Sequence, residues 1–236
     1  MSRTRALGMV AIAAVAIVGA LVVASQLGSA SSSSTSGGLQ AGSRTVQREL
    51  RGIPQRGNSL GSRRAPATLL EFADLQCPFC AQYTRDALPG LLHHYVRSGR
   101  LRMKLELLSF IGPDSERAAR FAAAAALQDR LWSFSDLFYR QQGVENSGYV
   151  TGSFLRSLAH ATVGLDGRRA FVEQSSRRAR ELLARARQEA GRLGVTSTPS
   201  FFLLRPGRRP RRLEVSALTT KALSQAIDSA LGPPKA

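Results

Sequence analysis

The chain has 236 residues, 43% of them hydrophobic, which allows one sizeable domain folded around a core. Its 33 basic residues against 16 acidic ones leave a formal charge of +17, nearly all of it arginine, since only Lys104, Lys221 and Lys235 are lysines. Such a balance can draw polyanions, but the runs Arg205 to Arg212 and Arg177 to Arg187 lack the interleaved aromatic side chains that stack on bases, so they read as a solvated basic surface and nucleic acid is not expected as a partner.

Arg3 and Arg5 precede an uncharged apolar run, Ala6 to Ala24. As a helix rising ~1.5 Å per residue it would come close to the ~30 Å hydrocarbon core of a bilayer. The basic residues ahead of it predict a cytoplasmic tail (residues 1–5), a transmembrane anchor (6–24) and the rest of the chain outside the cytoplasm. The alternative is a cleaved signal peptide ending near Gly28 or Ala30, although the run exceeds the ~7–15 residues of an ordinary signal core. Residues 25–43, rich in Ser and Gly, predict a flexible tether spanning roughly 25 Å.

The folded domain is expected over residues 44–232. "RTVQREL" reads as a first strand, and Gly52 to Pro66 as a turn-rich connection. Ala67 to Ala73 is short and almost wholly apolar, as a central buried strand should be. Pro78 opens a helix toward His94, with Leu88, Leu91, Leu92 and Tyr95 at helical spacing and a kink at Pro89. A second strand follows at Leu101 to Phe110.

"GPDSE" then announces a helical section over about 113–193, with Asp114 placed to cap its first helix. Its last stretch, Asp166 to Leu193, reads as one helix with Phe171, Ala179, Leu182, Leu183, Ala186 and Ala190 on one apolar stripe. Two strands joined by a basic turn and a closing helix, Thr219 to Leu231, complete an α/β pattern with a helical insertion.

Cys77 and Cys80, the chain's two cysteines, are separated by Pro78 and Phe79. A structural zinc would need four ligands, and the adjacent His93 and His94 have the wrong spacing, so no metal is expected. A structural disulfide over so small a loop would restrict the unfolded chain little. Thiol exchange fits better, because it needs an exposed thiolate to attack and a second thiol beside it to resolve. At a helix start Cys77 faces unpaired N–H groups that favour its negative charge, whereas Cys80 lies one turn inward and shielded. Pro78 suits the first helical position.

"EFADLQCPFC", "RLWSFSDLFYRQQG" and "GVTSTPSFFL" together resemble the DsbA-like branch of the thioredoxin superfamily, in its membrane-tethered thioredoxin-4 form, from about Thr45 to Leu231. The resemblance implies a thioredoxin-like fold with a helical insertion and a disulfide oxidoreductase that uses no cofactor. It implies that Thr198 and a cis Pro199 face the cysteine pair and, with Pro78 and Phe79, shape the site for an extended peptide. Exported cysteine-containing proteins would be the substrates, and a membrane redox partner would recycle the pair. Glu71, an acid on an otherwise apolar strand six residues before Cys77, matches the family's proton relay beneath the inner cysteine; a salt bridge with a nearby arginine is the other reading. Asp74 reads as a loop or cap residue, and Trp132, Phe134, His160, His93 and His94 as packing or surface groups. Oxidases of the family carry histidine in the dipeptide; Phe79 here predicts a moderately oxidising pair. The alternatives are a reductase or isomerase on the same fold, or a tethered binding module with a structural disulfide.

Overall fold

The computed structural model describes residues 37–232. The chain divides into two compact units, 1–41 and 42–236, and the second holds the sheet, the cysteine pair and the surrounding helices. Residues 1–36, with the predicted anchor and most of the predicted tether, lie outside the described residues; among those described, no helix is long and apolar enough to cross a membrane.

The first described element, α1 (37–50), corrects two expectations at once: the tether cannot extend to residue 43, and "RTVQREL" is helix rather than strand. Ser43, Val46 and Leu50 are buried at a spacing of three and four residues, which is helical periodicity, while Gln47, Arg48 and Glu49 between them favour a helix. A two-residue hairpin, β1 (Gln55–Arg56) and β2 (Ser59–Leu60), then pairs with the main sheet. β3 (Thr68–Asp74) is buried at every position. It runs parallel to β4 (Arg102–Leu108) on one side and antiparallel to β5 (Ser200–Leu204) on the other, with β6 (Arg211–Leu213) beyond, in the order β1-β2-β4-β3-β5-β6.

Between β3 and β4 the chain forms α2 (Pro78–Asp86), α3 (Leu88–Leu91) and a π turn, Leu92–Val96. The predicted kink is a break at Ala87, two residues before Pro89, whose ring and missing N–H cannot continue α2. The helical insertion is α4 (Pro113–Ala126), α5 (Leu131–Arg140), α6 (Gly152–Ala161), α7 (Gly167–Glu173) and α8 (Arg177–Arg192), between β4 and β5. α9 (Thr220–Leu231) closes the chain's described part. The helix predicted over Asp166 to Leu193 is two, because Ser176 accepts from the N–H of Ala179 and starts α8 anew. Asp114 does not cap α4, whose N-cap is Gly112; its carboxylate instead accepts from Arg117 and from the N–H of Gly148.

Alternation along β3 divides the core. Leu70 and Phe72 point to one face and pack with Leu108, Phe202, Ala186 and Ala190 under α8, with Phe72 and Phe202 edge to face at 5.8 Å. Glu71 therefore points to the other face, toward α2 and α5. The buried alanines of α4, from Ala118 to Ala126, let neighbouring helices approach closely.

Replacing Phe72 with alanine should lower stability by about 3–5 kcal/mol, the usual cost of removing a buried aromatic ring. Urea unfolding should show this as a lower midpoint with an unchanged slope.

Candidate active site

Cys77 is the N-cap residue of α2, with extended backbone (φ −72°, ψ 119°) and Pro78 directly after it. A cap residue of this kind faces the unbonded N–H groups of the first turn. Four hydrogen bonds to one side chain set the turn before it. The Asp74 carboxylate, fully buried, accepts from the N–H of Gln76 at 2.8 Å, of Phe110 at 2.7 Å and of Ile111 at 3.2 Å, and from the Ser115 hydroxyl at 2.7 Å. It thus joins the β3–α2 turn to the β4–α4 turn. Asp74 does lead into a loop, as the sequence suggests, but its reach to a second turn depends on tertiary contacts.

The insertion grips the same turn from its outer side. Gln142 donates to the carbonyls of Leu75 at 2.8 Å and Cys77 at 3.2 Å, and Tyr139 donates to the Asp74 carbonyl at 3.2 Å. Buried Gln76 donates to Tyr149 at 2.8 Å and accepts from the N–H of Asn146 at 3.0 Å. Sequence reasoning passes over Gln76, Tyr139 and Gln142, although two of them lie in the quoted "FYRQQG". Amide side chains without charge or periodicity carry little signal until their partners are in place.

Both cysteines are free thiols. Cys77 is 4% exposed and Cys80 wholly buried, so the expected exposed attacking sulfur is instead nearly covered. The cover is Thr198, whose carbonyl lies 3.3 Å from the Cys77 sulfur and accepts from its thiol. The Thr198–Pro199 peptide is cis, so Thr198 and Pro199 do face the pair. Pro78 and Phe79 stand in solvent beside it, Phe79 at 60% exposure.

The two sulfurs are held at opposite ends of the thiol range. Cys77 is lowered from 9.0 to about 6, chiefly by the hydrogen bond from the Cys80 thiol, with the Thr198 side chain and the N–H groups of Cys80 and Phe79 helping against partial burial. The Thr198 carbonyl acts the other way, since it can only accept from the protonated sulfur. Cys80 is pushed well above 9.0 by burial, by its bond to Cys77 and by the negative charges of Cys77 and Glu71.

Glu71 is 2% exposed, and burial raises it from 4.5 to about 8. No arginine among the described residues pairs with it, which removes the salt-bridge reading. Tyr83 approaches it and favours the charged form, yet neither Glu71 Oε2 nor the Tyr83 hydroxyl reaches hydrogen-bond geometry with any partner. Trp132 and Phe134 pack in the interior, with the Trp132 indole donating to the Asn58 carbonyl at 3.0 Å. His93, His94 and His160 are exposed, and no group of three metal-ligating side chains converges among the described residues.

A family model described as Thioredoxin, of the thioredoxin-4 type, matches residues 55–228. A probable disulfide bond formation protein D of Bacillus cereus is 28% identical over 148 residues, 61% of this chain and 68% of that protein. A Na(+)/H(+) antiporter NhaA of Salinispora tropica is 30% identical over 181 residues, 76% of this chain but 26% of its own length. Among solved structures, oxidised BdbD from Bacillus subtilis superposes with a TM-score of 0.64 at 18% identity, covering 76% of this chain and 97% of that one.

Two of the perturbed groups, Glu71 and Cys77, tilt stability in opposite directions. Glu71 holds its proton more tightly when folded, so its contribution is complete below pH 4.5 and is lost as pH rises through about 8. Cys77 holds its proton less tightly when folded, so its contribution is complete above pH 9.0 and is lost as pH falls through about 6. Glu71→Gln should therefore stabilise the reduced protein by an amount that grows from pH 5 to 8, reaching about 3 kcal/mol at pH 7, because the glutamate loses ~1.4 kcal/mol for each pH step between its unfolded and folded midpoints. Urea unfolding at several pH values checks it, and a difference that is flat with pH would show that Glu71 titrates normally.

Proposed function

The chain belongs to the thioredoxin family whose model it matches, as a DsbA-like protein disulfide oxidoreductase, and from that premise we propose that Cys77 and Cys80 form or exchange disulfides in exported proteins outside the cytoplasm. The observation that carries the assignment of roles is the separation of the two sulfurs: a thiol lowered to about 6 at a helix start, and one turn further a buried thiol that keeps its proton.

In this reading Cys77 is the sulfur that exchanges with substrate: the nucleophile when the pair is reduced, and the attacked and then leaving sulfur when it is oxidised. A substrate thiolate attacks the Cys77 sulfur of the oxidised pair, the Cys77–Cys80 bond breaks, and Cys80 leaves as a thiolate that takes up a proton. A second thiolate of the substrate then attacks the substrate sulfur bonded to Cys77, forming the substrate disulfide and releasing Cys77 as the thiolate its surroundings favour. The substrate loses two electrons and the pair gains them; a membrane redox partner carrying a disulfide takes them away. Glu71 is the group closest in character to the base and acid that Cys80 requires, since at about 8 it can carry a proton either way near neutral pH. Thr198 and Pro199 on one side, with Pro78 and Phe79 on the other, frame the approach of an extended substrate segment.

The likeness to an antiporter does not extend the proposal to transport, because the chain corresponds to only 26% of that protein. The proposed place of work rests on the apolar run Ala6 to Ala24 behind Arg3 and Arg5.

Cys80→Ala should accumulate covalent complexes between Cys77 and substrate proteins, visible on non-reducing gels, and Cys77→Ala should give none. Complexes formed by the Cys77 variant alone would reverse the assignment, and full function with both cysteines changed to serine would return the binding-module reading. Equilibration with glutathione buffers should give a potential between about −120 and −230 mV; a value near thioredoxin's ~−270 mV would make it a reductase. For topology, full-length protein should be found in the membrane fraction, with the Cys77 domain open to protease added from outside. A soluble species beginning near Ser31 would replace the anchor with a cleaved signal.

A further inference from the structure

Under the sheet, on the Glu71 side, lies a narrow pocket of about 10 Å³, room for about one water. Its lining includes Glu71, Leu105, Trp132, Ser135, Asp136 and Tyr139. Three of these carry buried polar atoms with no partner: Glu71 Oε2, Ser135 Oγ and Asp136 Oδ2. Orphaned polar atoms are costly in a core, and three converging on one pocket of this size describe the surroundings of an internal water. Asp136 faces outward as well. Its Oδ1 accepts from Arg140 Nε at 2.8 Å, and Arg140 also holds Glu49 of α1 at 2.7 Å, where both side chains are partly exposed.

We propose that Asp136 is the outer station of a proton path that runs from Cys80 through Glu71 and a pocket water held by Ser135 to solvent at the Arg140–Glu49 pair. The proposal rests on Cys80 as resolving thiol and Glu71 as its base, and adds the exit those roles leave unspecified. Asp136 is a positioning and relay residue; it touches neither sulfur. Burial lifts its carboxylate from 3.8 to about 7, against the pull of Arg140 and with a push from Glu49, so it can hold or release a proton at neutral pH. The groups that face the path are Cys80 and Tyr83 from α2, Tyr139 from α5, and Arg140 with Glu49 at the exit.

Reaction of the reduced protein with oxidised glutathione separates the path from the rest of the chemistry. In the first step the Cys77 thiolate attacks one glutathione sulfur, forming a mixed disulfide and expelling one glutathione thiolate; no proton leaves Cys80. In the second, the Cys80 thiol gives its proton to Glu71 and attacks the Cys77 sulfur, closing the pair and expelling the second glutathione. Oxidised glutathione gains the two electrons that the protein loses. At pH 7 Glu71, at about 8, starts out mostly protonated, so before it can accept from Cys80 it must pass its own proton through the water and Asp136 to solvent; the path thus precedes closure of the pair and limits decay of the mixed disulfide.

Rapid quenching followed by mass measurement resolves formation of the mixed disulfide from its decay. Asp136→Asn should leave formation unchanged and slow decay about tenfold at pH 7, with a larger solvent deuterium effect on decay alone. Ser135→Val, which fills the pocket and alters no charge, should slow decay similarly, so the test stands even if the Asp136 variant folds poorly. Slower decay in Glu71→Gln with normal decay in both other variants would overturn the exit and keep the base. Normal decay in Glu71→Gln would overturn the base and the exit together. Equal slowing of formation and decay in Asp136→Asn would make Asp136 merely structural and also overturn the proposal.

Discussion

The site depends on one carboxylate that does no chemistry. Asp74 ends the central strand and accepts four hydrogen bonds, three of them from backbone N–H groups on two different turns. A charged acceptor serving several such donors stabilises each bond more than a neutral one would, and its removal leaves every donor unsatisfied. The turn it fixes delivers Cys77 to the N-cap of α2, and the Asp74 carbonyl itself accepts from the Cys77 N–H at 3.0 Å. Tyr139 and Gln142 hold the same turn from the insertion, so the insertion supports the site as well as covering the sheet.

From that placement the difference between the sulfurs follows. One sits where N–H groups gather at a helix end, and the other sits where burial and two neighbouring negative charges oppose ionisation. Glu71, one strand position off the apolar face, is the group whose burial matches the inner sulfur's need for a proton partner. The Thr198 carbonyl lies over a nearly closed Cys77, while Phe79, two residues on, projects into solvent.

The local chemistry is more legible than the tertiary support. Cys77, Pro78 and Cys80 announce their places at the start of α2 because a helix start, a proline at its first position and a two-residue spacing are all short-range facts. Thr68 to Asp74 is readable because a strand covered on both faces is apolar throughout, and Glu71 stands out for breaking that rule. The stretch after Ser43 misleads, because Val46 and Leu50 fit either a strand or a helix until α1 is seen to bury them on one face. Ser176 splits an apolar stripe that periodicity alone carries straight through. The burial of Cys77 escapes a local reading because its cover, Thr198, arrives from 121 residues away.

With two cysteines in the whole chain, both at the site, the protein has no structural crosslink to complete and no spare thiol to pair wrongly. The sheet, the Asp74 turn and the insertion are therefore held by burial, ion pairs and hydrogen bonds, with no disulfide among their supports. Redox state becomes a load that the finished molecule picks up and hands on, and a newly made copy can enter the cycle empty.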